Sequence, residues 1–404
     1  MSFKSFSFHP QINAGISSAG YDLPTPIQLQ TMPAILQGQD VLGLAQTGTG
    51  KTAAFVLPIL QHLMKGPRGK LRALILSPTR ELAEQTHQAI KQLGRQTGLR
   101  SITIYGGVSS TSQIRALRNG VDIVVACPGR LLDLKDQRAV HLNNIEILVM
   151  DEADHMFDMG FLPSIRKIIS FLPERRQTLL FSATMPSEIR KLAKEMLVKP
   201  VTVEIGISKP IETISHAIYS VDQSKKLETL FHLLRESGDG QVLVFTRTKH
   251  RAKKIAVQLS QAGLSTTSLQ GNLSQSKRDQ AMDLFRRGRV KIMVATDIAA
   301  RGIDVSQVSH VINFDIPDTV DAYTHRTGRS GRMGRLGTAL TLVTREDYQM
   351  VKTIERVTGQ NFERREVEGQ LKSLPPTKQV DNTKQDRFQN WKKVKRSHSS
   401  ANAY

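Results

Sequence analysis

The chain has 404 residues, a formal net charge of +20 and a single cysteine, Cys127. This length allows two domains of ordinary size plus a tail. One cysteine excludes a disulfide framework and argues against a cysteine-rich metal site, so we expect a reducing, cytoplasmic setting. Since no apolar run has the length of a signal-peptide core or a membrane span, we expect a soluble protein with no membrane partner. The charge favours a polyanionic partner, although a basic surface that only aids solubility would look the same.

Residues 3 to 39 predict a helical entry to the first domain. Two prolines flank Thr25 and stiffen the turn before Gln28. A rigid turn could hold the Gln28 amide, which has both donors and an acceptor, against the edge of a purine ring. The alternative is a Pro-rich helix start whose apolar residues belong to the core.

A Gly-rich turn follows the apolar run at 41–44 and ends in Lys51 and Thr52. Such a turn is typical of a phosphate-binding loop, because its backbone N–H groups face inward at the positive end of the next helix. Lys51 would reach the outer phosphates of a nucleotide, and Thr52 would ligate Mg²⁺. The usual pattern has glycine where Ala45 stands, so at this point a Gly-rich turn without a ligand stays open.

Strand-like apolar runs then alternate with helical stretches. Repeated β-then-α units with continuous apolar strands predict a parallel sheet covered by helices. The carboxyl ends of parallel strands meet at one rim, so the polar turns after these strands should lie together. The runs are 73–76, 101–105, 122–126, 147–150 and 178–181.

The strand at 147–150 runs directly into Asp151, Glu152 and Asp154. These carboxylates should arrive beside the Lys51 loop. Asp151 would hold Mg²⁺, mostly through water, and Glu152 would activate or position an attacking water. At the same rim, Arg80 and Arg130 could contact a nucleic-acid backbone, or could be ordinary surface ion pairs.

The alternation breaks at Gly and Pro residues between 204 and 212, where we place a linker. A second βα series follows, with strands at 242–245, 266–269, 291–295, 308–314 and 338–343. It has no Gly-rich Lys-Thr loop, so any part it plays at a nucleotide must come from across a cleft. Three arginines at a spacing of three, Arg326, Arg329 and Arg332, are poorly explained by core packing. We expect Arg329 and Arg332 to reach the γ-phosphate when the domains close, although solvated or RNA-binding arginines remain alternatives.

In this order the motifs resemble those of the DEAD-box ATP-dependent RNA helicases, most similarly the bacterial RhlE-type branch. The resemblance covers residues 1 to 365 and is specific because the whole set occurs in the family's order. Ala45 is itself what the family shows. The motifs are Phe3, Gln28, Ala45 to Thr52, Pro78 to Leu82, Gly106-Gly107, Pro128 to Arg130, Asp151 to Asp154, Ser182 to Thr184, Phe245 to Arg247, Gln275 with Arg278, Thr296 to Asp304, and His325 to Arg332.

The resemblance implies a role for each matching residue. The nucleotide-binding residues would be Phe3, Tyr21, Gln28, Gln46, Thr47, Gly48, Thr49, Gly50, Lys51, Thr52, Asp304, Arg329 and Arg332. Within that set, Phe3 and Gln28 would clamp and read adenine. Lys51, Glu152, Arg329 and Arg332 would be catalytic, while Thr52 and Asp151 would hold Mg²⁺. The RNA path would be lined by Arg80, Gly107, Arg130, Thr246, Thr296 and Arg301. Coupling between ATP and RNA would run through Asp154, Ser182, Thr184 and His325.

Two residues depart from the family's pattern. Cys127 stands where Thr usually precedes Pro-Gly-Arg, which removes a hydroxyl contact. Gln270 stands where His usually precedes Gly271, which puts one fine contact in doubt.

We therefore expect two RecA-like α/β domains, at 1–206 and 214–365, with a linker at 207–213 and a basic, disordered tail at 366–404. The tail could tether RNA or could simply be solvated. The chain would hydrolyse ATP with Mg²⁺, bind RNA largely independently of sequence, and unwind or remodel it as a monomer, with ribosome-assembly or RNA-decay complexes as candidate partners. Alternatives are an ATP-gated RNA clamp or annealing factor with little unwinding, and a DNA helicase of the wider superfamily.

Overall fold

Two seven-stranded sheets, every strand of which is parallel to its neighbours, form the framework of the computed structural model. The structure describes residues 2–46, 48–205, 214–297, 308–331 and 336–366. Residues 1–365 form one compact unit, so the two sheets belong to domains that contact each other. Among the described residues, no helix combines the length and the apolar character needed to cross a membrane.

The first sheet has the strand order β3-β4-β2-β5-β6-β1-β7. Its strands are β1 (Val41–Ala45), β2 (Ala73–Leu76), β3 (Ser101–Ile104), β4 (Ile123–Ala126), β5 (Ile147–Met150), β6 (Gln177–Ser182) and β7 (Val201–Ile205). Its helices are α1 (Pro10–Ser18), α2 (Pro26–Leu36), α3 (Lys51–Leu63), α4 (Arg80–Leu93), α5 (Ser110–Arg118), α6 (Pro128–Asp136), α7 (Ala153–Asp158), α8 (Leu162–Ile169) and α9 (Ser187–Met196). A short 3₁₀ helix, Phe3–Phe6, precedes them.

Alternate residues of these strands enter two different hydrophobic cores. Ala73 and Ile75 of β2 join the core beneath α1 to α4. Leu74 and Leu76 of the same strand join the core on the opposite face. Both faces are thus apolar, which is why the strands appear in the sequence as continuous apolar runs.

The second sheet repeats this order as β10-β11-β9-β12-β13-β8-β14. Its strands are β8 (Ile214–Ser220), β9 (Gln241–Phe245), β10 (Thr266–Leu269), β11 (Ile292–Ala295), β12 (Val308–Asn313), β13 (Gly337–Val343) and β14 (Glu363–Arg365). Its described helices are α10 (Lys226–Glu236), α11 (Lys249–Gln261), α12 (Gln275–Arg286), α13 (Val320–Thr327) and α14 (Tyr348–Thr358), with a 3₁₀ turn at Arg345–Asp347.

The matching strand orders confirm that the second domain echoes the first. In the second sheet, β8 occupies the position that β1 holds in the first. The connection from β8 to α10, residues 221–225, contains no glycine. The second domain therefore lacks a phosphate-binding loop at the place where the first has one.

The predicted strands agree with the observed ones to within one or two residues. Sequence reasoning did not identify β7, β8 or β14. Glu204 and Ile205, predicted to begin the linker, instead end β7, where Glu204 pairs with Leu44 of β1. The predicted linker at 207–213 and the tail beyond 366 lie outside the described residues.

Candidate functional site

The turn after β1 curls as a phosphate-binding loop requires. Gly48 and Gly50 have φ angles of +88° and +95°, a region in which side chains are strained. Lys51, the first residue of α3, is buried and donates from Nζ to the carbonyl oxygen of Ala45 over 2.8 Å. This bond folds the lysine back over the loop, with its charge inside the curl. Thr49 closes the loop by donating to the carbonyl of Gln46 over 2.8 Å.

Gln28 connects helix α2 to this loop. Its Nε2 donates to the carbonyl of Gly50 over 3.0 Å, and its Oε1 accepts from the Thr25 backbone N–H over 2.9 Å. A Cβ at Gly50 would lie 2.6 Å from Gln28 Nε2, so only glycine permits this approach. The structure therefore gives Gln28 a positioning role at the loop, while its predicted contact with adenine stays a prediction.

Phe3 and Tyr21 pack against each other in the segment that precedes α2. Their rings pack edge to face with centroids 6.1 Å apart, and Phe3 is buried. Burial raises the pKa of the Tyr21 hydroxyl. The contact of these two rings with a nucleotide base remains a prediction.

Asp151 follows β5 and is buried at the rim. Its Oδ1 has no hydrogen-bond partner among the described residues. Burial raises the pKa of Asp151 to about 7, with Lys51 opposing and Glu152 adding to the rise. A buried carboxylate oxygen without a partner is costly, so this atom is poised for a cation.

Glu152 is buried beside Asp151 in a left-handed backbone conformation, with φ of 53°. Its Oε2 lies 3.1 Å from Nδ1 of His155. Burial alone would raise the pKa of Glu152. The His155 hydrogen bond and the charges of His155, Lys51 and Arg329 outweigh burial and hold the pKa below its usual range. Glu152 is thus kept ionised, as a residue that accepts a proton or positions water requires.

Asp154 joins this site to the turn after β6. Its Oδ2 accepts from the Thr184 hydroxyl over 3.0 Å and from the backbone N–H groups of Ala183 and Thr184 over 3.1 and 2.8 Å. Its own N–H donates to Ser182 Oγ over 3.2 Å. The same Oδ2 lies 3.7 Å from His325 Nε2 of the second domain. The structure thus brings together the four residues predicted to couple ATP to RNA.

Residues around α13 bring basic groups toward the first domain. Arg329 is buried, donates from Nε to the carbonyl of His325 over 3.1 Å, and contributes its charge to the low pKa of Glu152. Arg326 departs from the expectation that these arginines avoid the core. It is buried over the ring of Phe245 and paired with both carboxylate oxygens of Asp297 at 2.5 and 2.7 Å.

Several predicted residues lie outside the described residues. These are Thr47, Arg301, Asp304 and Arg332.

The predicted RNA-path residues differ in how accessible they are. Gly107 is exposed, with φ of +78°, while Thr296 is half-buried. Thr246 is fully buried and its hydroxyl donates to the carbonyl of Thr248 over 3.2 Å. The contact of Thr246 with RNA stays a prediction.

Arg80 and Arg130 make the ion pairs that were the alternative to RNA contact. Arg130 lies 3.6 Å from Asp133 and donates to the carbonyl of Val108 over 3.1 Å. Arg80 donates to Asp279 of the second domain over 3.1 Å. Since Asp279 is on the other domain, the Arg80 pair is more than local surface pairing.

Some residues of the site escaped sequence reasoning. His155 is hydrogen-bonded to Glu152, and its position three residues after Glu152 in the sequence was a usable signal. Tyr105 lies under Arg80, and Glu81 pairs with Arg278 across the domains at 2.9 Å. Pairs separated by some two hundred residues leave no local pattern in one sequence.

The chain matches two family descriptions. Residues 25–192 match "DEAD/DEAH box helicase" and residues 225–334 match "Helicase conserved C-terminal domain". It is 43% identical over 350 residues to RNA helicase CrhR of Synechocystis, covering 86% of this chain and 71% of that protein. It is 39% identical to DEAD-box ATP-dependent RNA helicase CshA of Bacillus subtilis, covering 90% and 74%.

A solved structure of Saccharomyces cerevisiae Dbp5 bound to RNA and ADP BeF3 is similar throughout. The TM-score is 0.81 at 30% identity, covering 90% of this chain and 95% of that one. Together with the phosphate-binding loop, the acidic residues Asp151, Glu152 and Asp154, and the two matching sheets, these matches place the chain in one family. It belongs to the DEAD-box ATP-dependent RNA helicases.

Proposed function

We propose that the chain is an RNA-stimulated ATPase whose active site is assembled from both domains and which locally unwinds or remodels RNA duplexes or RNA–protein complexes. One observation carries this most directly. His325 Nε2 of the second domain lies 3.7 Å from Asp154 Oδ2 of the first, and Arg329 of the second domain contributes its charge to the low pKa of Glu152. Basic groups of one domain thus act on the acidic residues of the other.

In this proposal, the residues of the first domain bind and orient the nucleotide. Lys51 binds the outer phosphates, and the curl at Gly48 and Gly50 presents backbone N–H groups to them. Gln28 contacts the loop, Phe3 and Tyr21 pack on each other, and these three residues would bind the adenine. Thr52 and Asp151 would hold Mg²⁺, which would supply positive charge to the transferring phosphoryl group.

Catalysis needs a base on one side of the γ-phosphate and positive charge on the other. Glu152, oriented by His155, accepts a proton from the attacking water or positions that water. Arg329 and Arg332 stabilise the charge that develops in the transition state. The base and the arginines belong to different domains, so hydrolysis depends on closure.

RNA would favour closure by contacting both domains at the rim. Arg80, Gly107 and Arg130 lie on the first domain and Thr296 on the second, while Arg301 completes the predicted path. Asp154, which contacts Thr184 of the first domain and His325 of the second, would couple this closure to the catalytic site. The similarity to Dbp5, which was solved with RNA and ADP BeF3, extends over both domains and supports this arrangement.

The finer placement of the chain within its family is also a proposal. The motifs predict the RhlE-type branch, whereas the similar proteins above are named CrhR and CshA. We propose a cytoplasmic monomer acting on RNA in ribosome-assembly or RNA-decay complexes, with domains at 1–206 and 214–365. Crosslinking of the chain to RNA in cells would identify its substrates.

The test is steady-state ATPase of the purified chain without nucleic acid, with RNA and with DNA, alongside displacement of a labelled strand from a short RNA duplex. RNA should stimulate turnover far more than DNA does, and strands should separate in an ATP-dependent way. RNA-stimulated ATPase without strand displacement would favour the clamp. Equal stimulation by DNA would favour the DNA helicase.

A further inference from the structure

Helices α4 and α12, from different domains, meet through two crossed ion pairs. Arg80 Nη2 donates to Asp279 Oδ2 over 3.1 Å. The adjacent residues pair in the opposite sense, with Arg278 Nη2 donating to Glu81 Oε1 over 2.9 Å. The Glu81–Arg278 side chains are about 13–15% exposed, whereas Asp279 is 52% exposed. The Glu81–Arg278 pair is therefore the more sheltered one, and the Arg80–Asp279 pair borders the open rim.

Three different groups surround the Arg80 guanidinium. Its Cζ lies 4.5 Å from the centre of the Tyr105 ring. Its Nη2 is bonded to Asp279. Its Nη1 is buried and has no hydrogen-bond partner in the described part of the chain. Because a buried guanidinium N–H without an acceptor is costly, Nη1 is a place for an oxygen that a ligand would bring.

Tyr105 is itself held firmly. Its hydroxyl donates to Glu84 Oε1 over 2.6 Å, and its carbonyl accepts from Gln113 over 3.1 Å. Glu84 is hydrogen-bonded by His87, Tyr105 and Thr103. These bonds, that of His87 most of all, lower the pKa of Glu84 to about 2 despite its burial. Glu84 therefore stays an ionised acceptor, and the ring face under Arg80 is fixed by it.

We infer that Tyr105 of the first domain and Asp279 of the second are positioning residues that orient Arg80. An RNA phosphate at Arg80 Nη1 is therefore bound more tightly when the domains are closed. This inference rests on the proposed RNA path through Arg80. The guanidinium is a planar fork with donors on several edges, so an acid on one edge and a phosphate on another can be bound together. Asp279 acts through Arg80 and does not itself touch RNA.

The inference makes a prediction of definite sign. If Asp279 and RNA compete for Arg80, removing Asp279 tightens RNA binding. If Asp279 positions Arg80, its removal weakens RNA binding, and only when a nucleotide holds the domains closed. Glu81 and Arg278 are kept in every variant, so the neighbouring interdomain pair is not disturbed.

The first experiment measures the affinity of the full chain for a labelled single-stranded RNA, with and without a non-hydrolysable ATP analogue. Asp279→Ala should weaken binding about five- to tenfold with the analogue, the worth of one charge-assisted hydrogen bond, and less than about twofold without it. The matched control is Asp283→Ala, one turn later on α12, where Asp283 pairs with Arg287 of the same domain. It should match the parent under both conditions.

Tyr105 is tested by separating the ring from the hydroxyl. Tyr105→Leu removes the face under Arg80 and should raise the RNA concentration for half-maximal ATPase about fivefold, with turnover at saturating RNA within about twofold of the parent. Tyr105→Phe keeps the face and loses the Glu84 bond, so its shift should be smaller. An equal loss of turnover at saturating RNA in both variants would indicate misfolding of the β3 end and would overturn the positioning role.

The Arg80→Ala variant separates this inference from the proposed function. If Arg80→Ala leaves RNA affinity unchanged, the RNA path itself is wrong. If Arg80→Ala weakens RNA binding but Asp279→Ala has the same effect with and without nucleotide, or tightens binding, only the inference fails. The Asp279 effect must also disappear in the Arg80→Ala background, since the coupling runs through that side chain.

Discussion

Asp151 and Glu152 are neighbours in the chain, but their carboxyl groups have opposite electrostatic surroundings. Burial dominates at Asp151 and raises its pKa to about 7. At Glu152, burial is outweighed by His155 and by two cations, one from each domain. When the surroundings of two neighbouring acids shift their pKa values in opposite directions, the two acids commonly have different roles. This difference supports the proposed roles of Asp151 as a cation ligand and of Glu152 as the residue that activates or positions water.

We predict that Glu152→Gln binds ATP and RNA but hydrolyses ATP slowly. The amide keeps the shape of the carboxylate and can still hydrogen-bond His155, but it cannot accept a proton. Turnover should fall by about 10² to 10⁴-fold, the usual worth of a general base. Single-turnover hydrolysis and RNA binding measured on the same preparation would check this. Near-normal turnover would rule out Glu152 as the residue that activates water.

We predict that Lys51→Ala weakens ATP binding and abolishes RNA-dependent ATPase and unwinding. The change removes the positive charge from the inside of the phosphate-binding loop. Binding of a fluorescent ATP analogue and steady-state ATPase would measure both effects. Lys65→Ala, an exposed lysine beyond the end of α3, is the matched control and should behave as the parent. Parental turnover in Lys51→Ala would mean that the loop assignment is wrong.

At this scale, the residues that sequence could predict are those whose chemistry is tied to a local motif. Lys51, Asp154 and Thr184 lie in short patterns at strand ends, and the structure brings them to one rim. Tyr105 could not be predicted as a platform for Arg80, because an aromatic residue at the end of a strand usually belongs to the core. The burial of Thr246 could not be predicted, because a motif position does not reveal whether a hydroxyl faces solvent.

The elements of the fold place side chains at the rim by starting helices directly after strands. Thr79 caps α4 by accepting the Leu82 N–H over 3.3 Å, which fixes Arg80 as the first helical residue. Thr248 and Thr319 cap α11 and α13 in the same manner. Side-chain caps of this kind typically stabilise a helix start by about 1 kcal/mol.

Most strands could be predicted because both of their faces are buried, which requires apolar residues at every position. The exceptions have physical reasons. Strand β14, Glu363–Arg365, is entirely charged and lies at the sheet edge against β8. Strand β8 carries Ser215, His216 and Ser220 among its apolar residues, so it lacks the continuous run that the other central strands show.

His216 gives a prediction about pH at this same edge. Its ring stacks on Phe362, lies tilted against Tyr323, and is hydrogen-bonded through Nδ1 to the Tyr323 hydroxyl at 2.8 Å. Burial lowers the pKa of His216 from 6.5 to about 4. Between these values the unfolded chain binds a proton that the folded chain does not, so stability falls as pH drops from about 6.5 to 4.

The loss attributable to this one residue is at most about 3 kcal/mol. We predict that His216→Gln destabilises the protein at pH 7.5, because the stacked ring is lost. The destabilisation should be smaller at pH 5, because protonation of His216 in the unfolded state has already lowered the stability of the parent. Thermal unfolding of both proteins at the two pH values would measure this. A difference in Tm that is the same at pH 7.5 and pH 5 would contradict the assignment.

At the scale of the whole molecule, the proposed mechanism depends on contacts that join the two domains. Glu81 with Arg278, Arg80 with Asp279, and His325 with Asp154 are such contacts. Two echoing domains could be predicted from their repeated βα pattern, and a cleft between them from the missing second loop. Which side chains meet across the cleft could not, since domain orientation leaves no trace in periodicity.

Substitution of Arg329, in the second domain, tests the closure mechanism most directly. We predict that RNA stimulates ATPase of the parent, and that Arg329→Ala lowers RNA-stimulated turnover by about 10³-fold or more, as expected for an arginine finger. RNA binds both domains and favours the closed state, and only that state delivers Arg329 to a phosphate already held by Lys51. Binding of ATP to the first domain should be unchanged, because Arg329 contributes nothing to the open state.

The measurement is steady-state ATPase with and without RNA for the parent, Arg329→Ala and Arg356→Ala. Arg356 is an exposed arginine on α14 of the same domain and serves as the matched control. The Arg356→Ala variant should retain the parent's stimulation by RNA. This result would show that losing one positive charge from this domain does not by itself lower RNA-stimulated turnover. Equal rates with and without RNA in the parent, or an Arg329→Ala protein as active as the parent, would defeat the closure mechanism. In that case the nearness of Arg329 to Glu152 would serve only the packing of the two domains.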